Sequence, residues 1–154
     1  TFNYNDLSMI VLDTGDDHDD SAPINGEISF WKEQTQAQVE WLESLEFNSP
    51  KWLFSASHIN FINRQTNNIN MFTQPLENLG VQMLLHGHNH RVGPNSLTLP
   101  NEQNNFPFPA YIAGGQLKDN TLVGSKVVLY DDGVNVTQYD NNNQIRFDYF
   151  IPLN

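Results

Sequence analysis

Three short apolar runs, separated by segments with helical periodicity, constrain the fold of this chain more than any other feature of its sequence. The runs are LSMIVL at residues 7–12, KWLFSAS at residues 51–57 and VQMLL at residues 81–85. Nearly continuous apolarity is typical of strands buried on both faces, and strands joined by helices favour crossover connections. The first 90 residues therefore predict an α/β fold in which helices cover a sheet.

Two helices are predicted between these runs. Thr35 and Gln38 fit a capping box, which indicates that the first helix begins at Thr35, and its apolar stripe ends before Pro50. The second helix is predicted over residues 71–79, with Pro75 in its first turn, where a missing N–H costs nothing. Gly80 is the expected C-terminal cap of this second helix.

From residue 111 onward the pattern changes to short strands with alternating polarity. Asp132-Gly133 is a hairpin turn signal, and the asparagines at positions 141–143 are a second one. These turns predict a C-terminal antiparallel meander that follows the α/β part of the chain. Its strands are predicted at residues 111–113, 126–130, 134–139 and 145–150.

Composition excludes several function classes. The chain has 154 residues, enough for about one domain, and its net charge is -11 with only seven Lys and Arg. Such a surface repels nucleic acid and anionic lipid, because phosphate contacts require basic side chains. No apolar run approaches the roughly 20 residues that span a bilayer. The absence of cysteine limits any zinc site to His and carboxylate ligands.

Histidines follow the second and third apolar runs at the point where each strand is predicted to end. His58 follows residues 51–57, and His88 and His90 follow the third run after Gly87. The carboxyl ends of parallel strands meet at one edge of a sheet, where ligands bind in open α/β folds. Gly87 is expected to let the chain turn sharply there. Because imidazole suits zinc, iron and related metals, the pattern predicts a metal site.

The other two histidines carry different expectations. His86 should face the opposite side of its strand from Gly87, which favours packing or support of the metal ligands. His18 lies among the aspartates of residues 16–20. This acidic segment is interpreted as a solvated loop, with a calcium or accessory metal site as the alternative.

Several motifs, in this order, resemble the C-terminal half of calcineurin-like metallophosphoesterases, the superfamily that includes purple acid phosphatases. The Gly-His-x-His signature at residues 87–90 is the most specific of them. The others are the strand ending in Leu-Asp-Thr at residues 12–14, the QVEWL helix at 38–42, the strand ending at His58, and YIAGG at 111–115.

The resemblance implies a fold, a metal centre and a reaction. The fold would be the C-terminal half of a four-layer αββα sandwich, with residues 1–154 as one portion of a single domain. His58 and His88 would bind one metal ion and His90 the other, the ions being Fe, Zn or Mn. A hydroxide held between the two ions would attack phosphorus in a phosphate ester, with monoester and diester substrates both open.

Their positions beside the metal ligands indicate supporting roles for Gly87, Asn89 and His86. Arg91, beside His90, is interpreted as a surface arginine, with contact to the phosphate of the substrate as the alternative. A relative of purple acid phosphatases with this acidic, cysteine-free composition favours an extracytoplasmic location.

Two departures from the family pattern matter. His58 is followed by Ile59 where the family usually has Pro. The N-terminal motifs that supply the bridging Asp and the leaving-group acid are missing; residues 15–19 fit Gly-Asp-x-x-Asp as a string, but Leu-Asp-Thr fits its surroundings better. Three neutral imidazoles do not offset the repulsion between two dications without a bridging carboxylate.

The chain is therefore expected to supply half of a site. The other half is expected from a missing N-terminal half of the same protein. The 154 residues alone should lack turnover and should expose a hydrophobic sheet edge. Two alternatives remain open: a mononuclear zinc hydrolase that uses His58, His88 and His90 alone, and a non-catalytic or degraded metal-binding module.

Overall fold

The computed structural model describes residues 1–14, 31–61, 71–100 and 107–152. The expectations for His18 and for residues 15–20 lie outside these ranges. The strands of the described residues are β1 (Phe2–Tyr4), β2 (Leu7–Leu12), β3 (Trp52–Ser57), β4 (Met83–His86), β5 (Leu97–Thr98), β6 (Ala110–Ile112), β7 (Gly115–Gln116), β8 (Leu122–Tyr130), β9 (Gly133–Asp140) and β10 (Ile145–Pro152). The helices are α1 (Trp31–Glu43) and α2 (Thr73–Asn78), and a 3₁₀ turn covers Gly93–Ser96.

The first sheet is mixed, with a parallel centre. Its six strands lie in the order β1-β2-β3-β4-β6-β5, and β2, β3, β4 and β6 are parallel neighbours. The two edge strands β1 and β5 pair antiparallel with β2 and β6. The three apolar runs of the sequence therefore lie side by side at the centre, as an α/β fold requires.

The second sheet is the predicted antiparallel meander without its first strand. The strand predicted at residues 111–113 is β6, which pairs parallel with β4 in the mixed sheet, so its assignment to the meander is wrong. The strands of the second sheet lie in the order β10-β9-β8-β7, and each pairs antiparallel with the next. Strand β8 begins at Leu122, four residues before the predicted start, and β10 continues to Pro152. The β8–β9 turn consists of Asp131 and Asp132, because Gly133 is already the first paired residue of β9.

Apolar side chains cover both faces of the six-stranded sheet. Ile10 and Leu84 face Leu42 of α1 and Leu76 of α2 in one buried cluster. The opposite face packs on the second sheet in a cluster formed by Trp52, Phe54, Met83, Tyr111, Val134, Val136 and Ile151. The described chain is thus a mixed α/β structure of three successive layers: helices, mixed sheet and antiparallel sheet.

Helix α1 begins earlier than the sequence predicts. It starts at Trp31, so Thr35 lies inside the helix, buried, and the predicted start at Thr35 is wrong. Gln38 does not cap the helix; its side-chain amide binds Asp13 at the end of β2, accepting from Asp13 N at 2.9 Å and donating to Asp13 O at 2.7 Å. Gln38 therefore serves the docking of α1 on the sheet.

Helix α2 agrees with its prediction more closely. Pro75 lies in the first turn of Thr73–Asn78, and Gly80 takes the positive φ of +81° expected of a residue that ends a helix. Among the described residues, no helix is both long enough and apolar enough to cross a membrane.

Candidate functional site

His58 and the histidines after β4 lie at the same edge of the mixed sheet. Strands β3 and β4 are adjacent and parallel, with Ser57 opposite His86 in the register. His58 directly follows β3, and His88 follows β4 by two residues. Parallel pairing thus brings together two histidines that are thirty positions apart in sequence, as strand-end geometry requires.

The rings of His58 and His88 meet edge to face. Their centroids are 5.4 Å apart and the ring planes are inclined at 86°. Metal–nitrogen bonds to imidazole are about 2 Å long, so two imidazoles on one ion have centroids about 5 Å apart. The spacing of this pair therefore fits two ligands of a single ion.

Gly87 brings β4 close to His58. Its backbone N–H donates a hydrogen bond to His58 O at 2.9 Å, and a Cβ at this position would lie 3.4 Å from His58 Nδ1. A Cβ at this distance makes an ordinary van der Waals contact, so the space beside the imidazole does not by itself require glycine at position 87.

The bend after β4 is made by histidines. His88 has φ +68° and His90 has φ +43°, both in the left-handed region, whereas Gly87 does not have a positive φ. The predicted role of Gly87 in the bend is therefore wrong. Asn89 N donates to Gly87 O at 2.9 Å and closes the turn. Left-handed non-glycine residues carry strain of about 1 kcal/mol or more, and such strain clusters at functional sites.

His90 lies against the first strand of the second sheet. Its Nδ1 is 2.9 Å from the backbone oxygen of Gln116. A carbonyl only accepts, so in the neutral ring Nδ1 carries the proton and Nε2 presents its lone pair. A Cβ on Gly115 would come within 2.6 Å of His90 Cδ2, and Gly115 has φ +133°. The second glycine of YIAGG is thus required by the His90 ring.

The backbone that follows His58 is held from two sides. Ile59 N donates to Thr14 Oγ1 at 3.0 Å, and Ile59 O accepts from Ser57 Oγ at 2.8 Å. Proline, which the family usually has here, lacks the N–H for the first bond. The buried hydroxyl of Thr14 gives the Leu-Asp-Thr pattern a structural role that sequence reasoning did not find.

His86 is buried at the end of β4. The pKa of His86 is lowered from the ordinary 6.5 to about 4, chiefly by burial and to a smaller extent by the nearby positive charge of Arg91. A hydrogen bond to Gly87 O acts in the opposite direction. His86 O also accepts from Ala113 N at 2.9 Å, which ties β4 to the segment that leads to Gly115. The side chains of Asn89 and Arg91 are exposed.

The described residues bring together two of the three predicted metal ligands and hold the third apart from them. The structure pairs His58 with His88 and holds His90 against Gly115 and Gln116. Within residues 1–14, 31–61, 71–100 and 107–152, no three His, Asp or Glu side chains form a group that could hold a metal ion. The donor set present therefore fits two imidazole ligands of one ion, with further ligands required from elsewhere.

Comparison with solved structures supports a fold relationship. The chain is similar to purple acid phosphatase PPD1 from yellow lupin (Lupinus luteus) seeds, with a TM-score of 0.58 and 12% identity over 98% of this chain and 32% of that one. The resemblance to calcineurin-like phosphoesterases is confirmed for the fold. The chain spans about a third of the length of the lupin enzyme.

Two further likenesses are weaker. A predicted phosphoesterase from Streptococcus pneumoniae TIGR4 gives a TM-score of 0.44 and 11% identity over 94% of this chain and 96% of that one. A Vps29 mutant from Entamoeba histolytica gives 0.34 and 10% over 96% and 99%. No protein-family model matches the sequence, and no curated protein matches it either.

Proposed function

We propose that this chain supplies the histidine side of a binuclear metal centre that hydrolyses a phosphate ester. The observation that carries the proposal is the His58–His88 pair, 5.4 Å apart between ring centroids at the carboxyl ends of adjacent parallel strands. In this assignment His58 and His88 hold one ion and His90 holds the second through Nε2. The ions are Fe, Zn or Mn, which accept imidazole ligands.

The residues of the chain orient these ligands. A bound metal pair would supply a hydroxide nucleophile and neutralise charge on the phosphoryl oxygens. The Gln116 carbonyl selects the His90 tautomer, and the backbone N–H of Gly87 donates to His58 O, which fixes the turn beside the His58 ring. Arg91 follows His90 and is exposed, and in this proposal its guanidinium binds a phosphate oxygen.

The proposal requires carboxylate ligands and a leaving-group acid from a missing N-terminal half. That half would complete a four-layer αββα sandwich by covering the outer face of the antiparallel sheet. Tyr130 and Phe150 support this role for the face, because they are 51% and 40% exposed and lie against each other there. The proposal also includes an extracytoplasmic location and no binding to nucleic acid or to membranes.

Zinc titration of the 154-residue chain by calorimetry tests the histidine assignment. The expected result is one ion per chain, held weakly because the carboxylates are missing, and no hydrolysis of an aryl phosphate. His58→Ala and His88→Ala should each abolish zinc binding. His18→Ala is the control and should leave zinc binding unchanged.

His90→Ala separates the proposal from the mononuclear alternative. If this variant loses the bound zinc as completely as His88→Ala does, a single ion with three histidines is favoured. Zinc binding that none of the three substitutions affects would contradict the assignment. A chain that binds no zinc at all would favour the non-catalytic module.

A further inference from the structure

Gln138 breaks the apolar pattern of strand β9. Val134 and Val136 face the first sheet from β9 and belong to the buried cluster between the sheets. Gln138 is on the same face and is 0% exposed. A polar side chain at a core-facing strand position is costly unless it is hydrogen-bonded, and such violations of the local pattern are expected at functional sites.

The side-chain amide of Gln138 is hydrogen-bonded on both of its polar atoms. Its Oε1 accepts from Gly93 N at 2.9 Å. Its Nε2 donates to Ile112 O at 3.1 Å and to Arg91 O at 3.3 Å. One side chain thus satisfies three backbone groups from two segments that are distant from it in sequence.

These two segments lie on either side of His90. Arg91 and Gly93 belong to the histidine loop, which we define as residues 87–93. Ile112 is the last residue of β6 and leads through Ala113 to Gly115, on which the His90 ring lies. The amide of Gln138 therefore joins the chain that carries His90 to the chain that supports its ring.

We propose that Gln138 is a positioning residue that sets the place of His90 by fixing the histidine loop against the end of β6. The inference rests on the proposed function, because it concerns a histidine that is assigned there as a metal ligand. Groups that orient metal ligands typically change metal affinity by about 10- to 100-fold when they are removed. The three hydrogen bonds of the Gln138 amide are to backbone groups, and the side chain also lies near the Tyr111 hydroxyl; it takes no direct part in metal binding.

Gln138→Met tests the proposal, since methionine has a similar length, fits an apolar core and cannot make the three bonds. In the metal-free chain, the Gly93 amide proton should exchange with solvent about tenfold faster. The ring ¹⁵N shifts of His90 should move as its bond to Gln116 O weakens. Zinc affinity, where the wild-type chain binds zinc through His90, should fall by about tenfold.

Two further variants complete the test. Thr137→Val is the matched control, because Thr137 is the adjacent buried polar residue of β9 and its Oγ1 donates to Asp148 Oδ1 at 2.8 Å on the opposite face. It should leave Gly93 exchange and His90 shifts unchanged. Gln138→Glu, which keeps the length and an acceptor for Gly93 N, should restore part of the Gly93 protection and serves if the methionine variant does not fold.

The outcomes separate the two proposals. Unchanged Gly93 exchange and His90 shifts in Gln138→Met, or an equal change in Thr137→Val, would overturn the positioning role. A wild-type chain that binds no zinc would contradict the proposed function alone, because the exchange and ring-shift measurements need no metal and still decide the role of Gln138.

Discussion

At the scale of single residues, the candidate site combines strained histidines with a glycine that leaves space for an imidazole ring. His88 and His90 take positive φ, which only glycine adopts without cost. Gly87 and Gly115 are each placed where a Cβ would approach an imidazole, at 3.4 Å from His58 and 2.6 Å from His90. Only the distance at Gly115 excludes a side chain, so one glycine of the site is required by an imidazole ring.

Gly115→Ala is expected to displace His90. The new Cβ would lie 2.6 Å from His90 Cδ2, and alanine is strained at φ +133°, so the variant should lose on the order of 1 to 3 kcal/mol of unfolding free energy. Urea denaturation measures the loss, and NMR measures the shift of the His90 ring. Gly124→Ala on β8 is the control, because nothing lies within 4 Å of its added Cβ. Equal unfolding free energies of the two variants would contradict the close approach of Gly115 to the His90 ring.

At the scale of elements, the β9–β10 hairpin is closed by one carboxylate. Asp140 Oδ1 accepts from Asn142 N at 2.8 Å and Gln144 N at 3.0 Å, and Oδ2 accepts from Arg146 at 3.2 Å. The hydrogen bond from Gln144 is the largest cause that lowers the pKa of Asp140, and Asn142 and Arg146 add to it. Because β9 also carries Gln138, this turn helps to hold the strand that reaches the histidine loop.

The hairpin should therefore weaken in acid. A carboxyl group with a lowered pKa in the folded chain stabilises it above the unfolded value of about 3.9, and this contribution disappears as pH falls through the folded pKa. Asp140→Asn should lower the urea midpoint at pH 7, and the gap from wild type should narrow toward pH 2.

Asp132→Asn is the control for the hairpin prediction. Asp132 is exposed in the β8–β9 turn, away from the Asp140 carboxylate. The urea midpoint of this variant should follow the wild type throughout. A gap between Asp140→Asn and wild type that did not change with pH would contradict the role of the charge.

At the scale of the whole molecule, the mixed sheet lies between helices and a second sheet. Phe54, in the middle of β3, is 1% exposed and packs with Trp52 in the cluster between the sheets, with ring centroids 6.4 Å apart. One face of β3 therefore packs against the helices and the other against the second sheet, so β3 contacts both outer layers. The same strand ends at His58, so layer packing and ligand placement depend on one element.

Phe54→Ala is expected to cost about 3 to 5 kcal/mol of unfolding free energy, because it leaves a cavity between the sheets. That is a large share of the roughly 5 to 15 kcal/mol that stabilises a typical domain. Val11→Ala on the neighbouring strand is the control: Val11 is 53% exposed, and the change should stay within about 0.5 kcal/mol. Denaturant titration measures the unfolding free energy of both variants. Similar losses of unfolding free energy in the two would show that the second sheet does not pack as described.

Sequence patterns predicted the parallel strands, the meander and the histidines at one edge because these follow from local periodicity. Residues 7–12, 51–57 and 81–85 are apolar enough to require burial on both faces, and strand ends set where His58 and His88 emerge. The edge strand β1 was missed because its three residues are all exposed and carry no periodic signal. The predicted start of α1 was wrong because Gln38 binds Asp13 at the end of β2. A local capping pattern does not include such a contact.

The sequence by itself determined the order of the elements and the residue types at the site, since hydrophobic alternation and strand ends are local properties. Only the tertiary structure decided that His88 and His90 make the bend, that Gly115 lies under His90, and that Gln138 joins both sides of it. The contacts of Gly115 and Gln138 link residues 25 or more positions apart, and their geometry depends on how two sheets pack, which no sequence window contains.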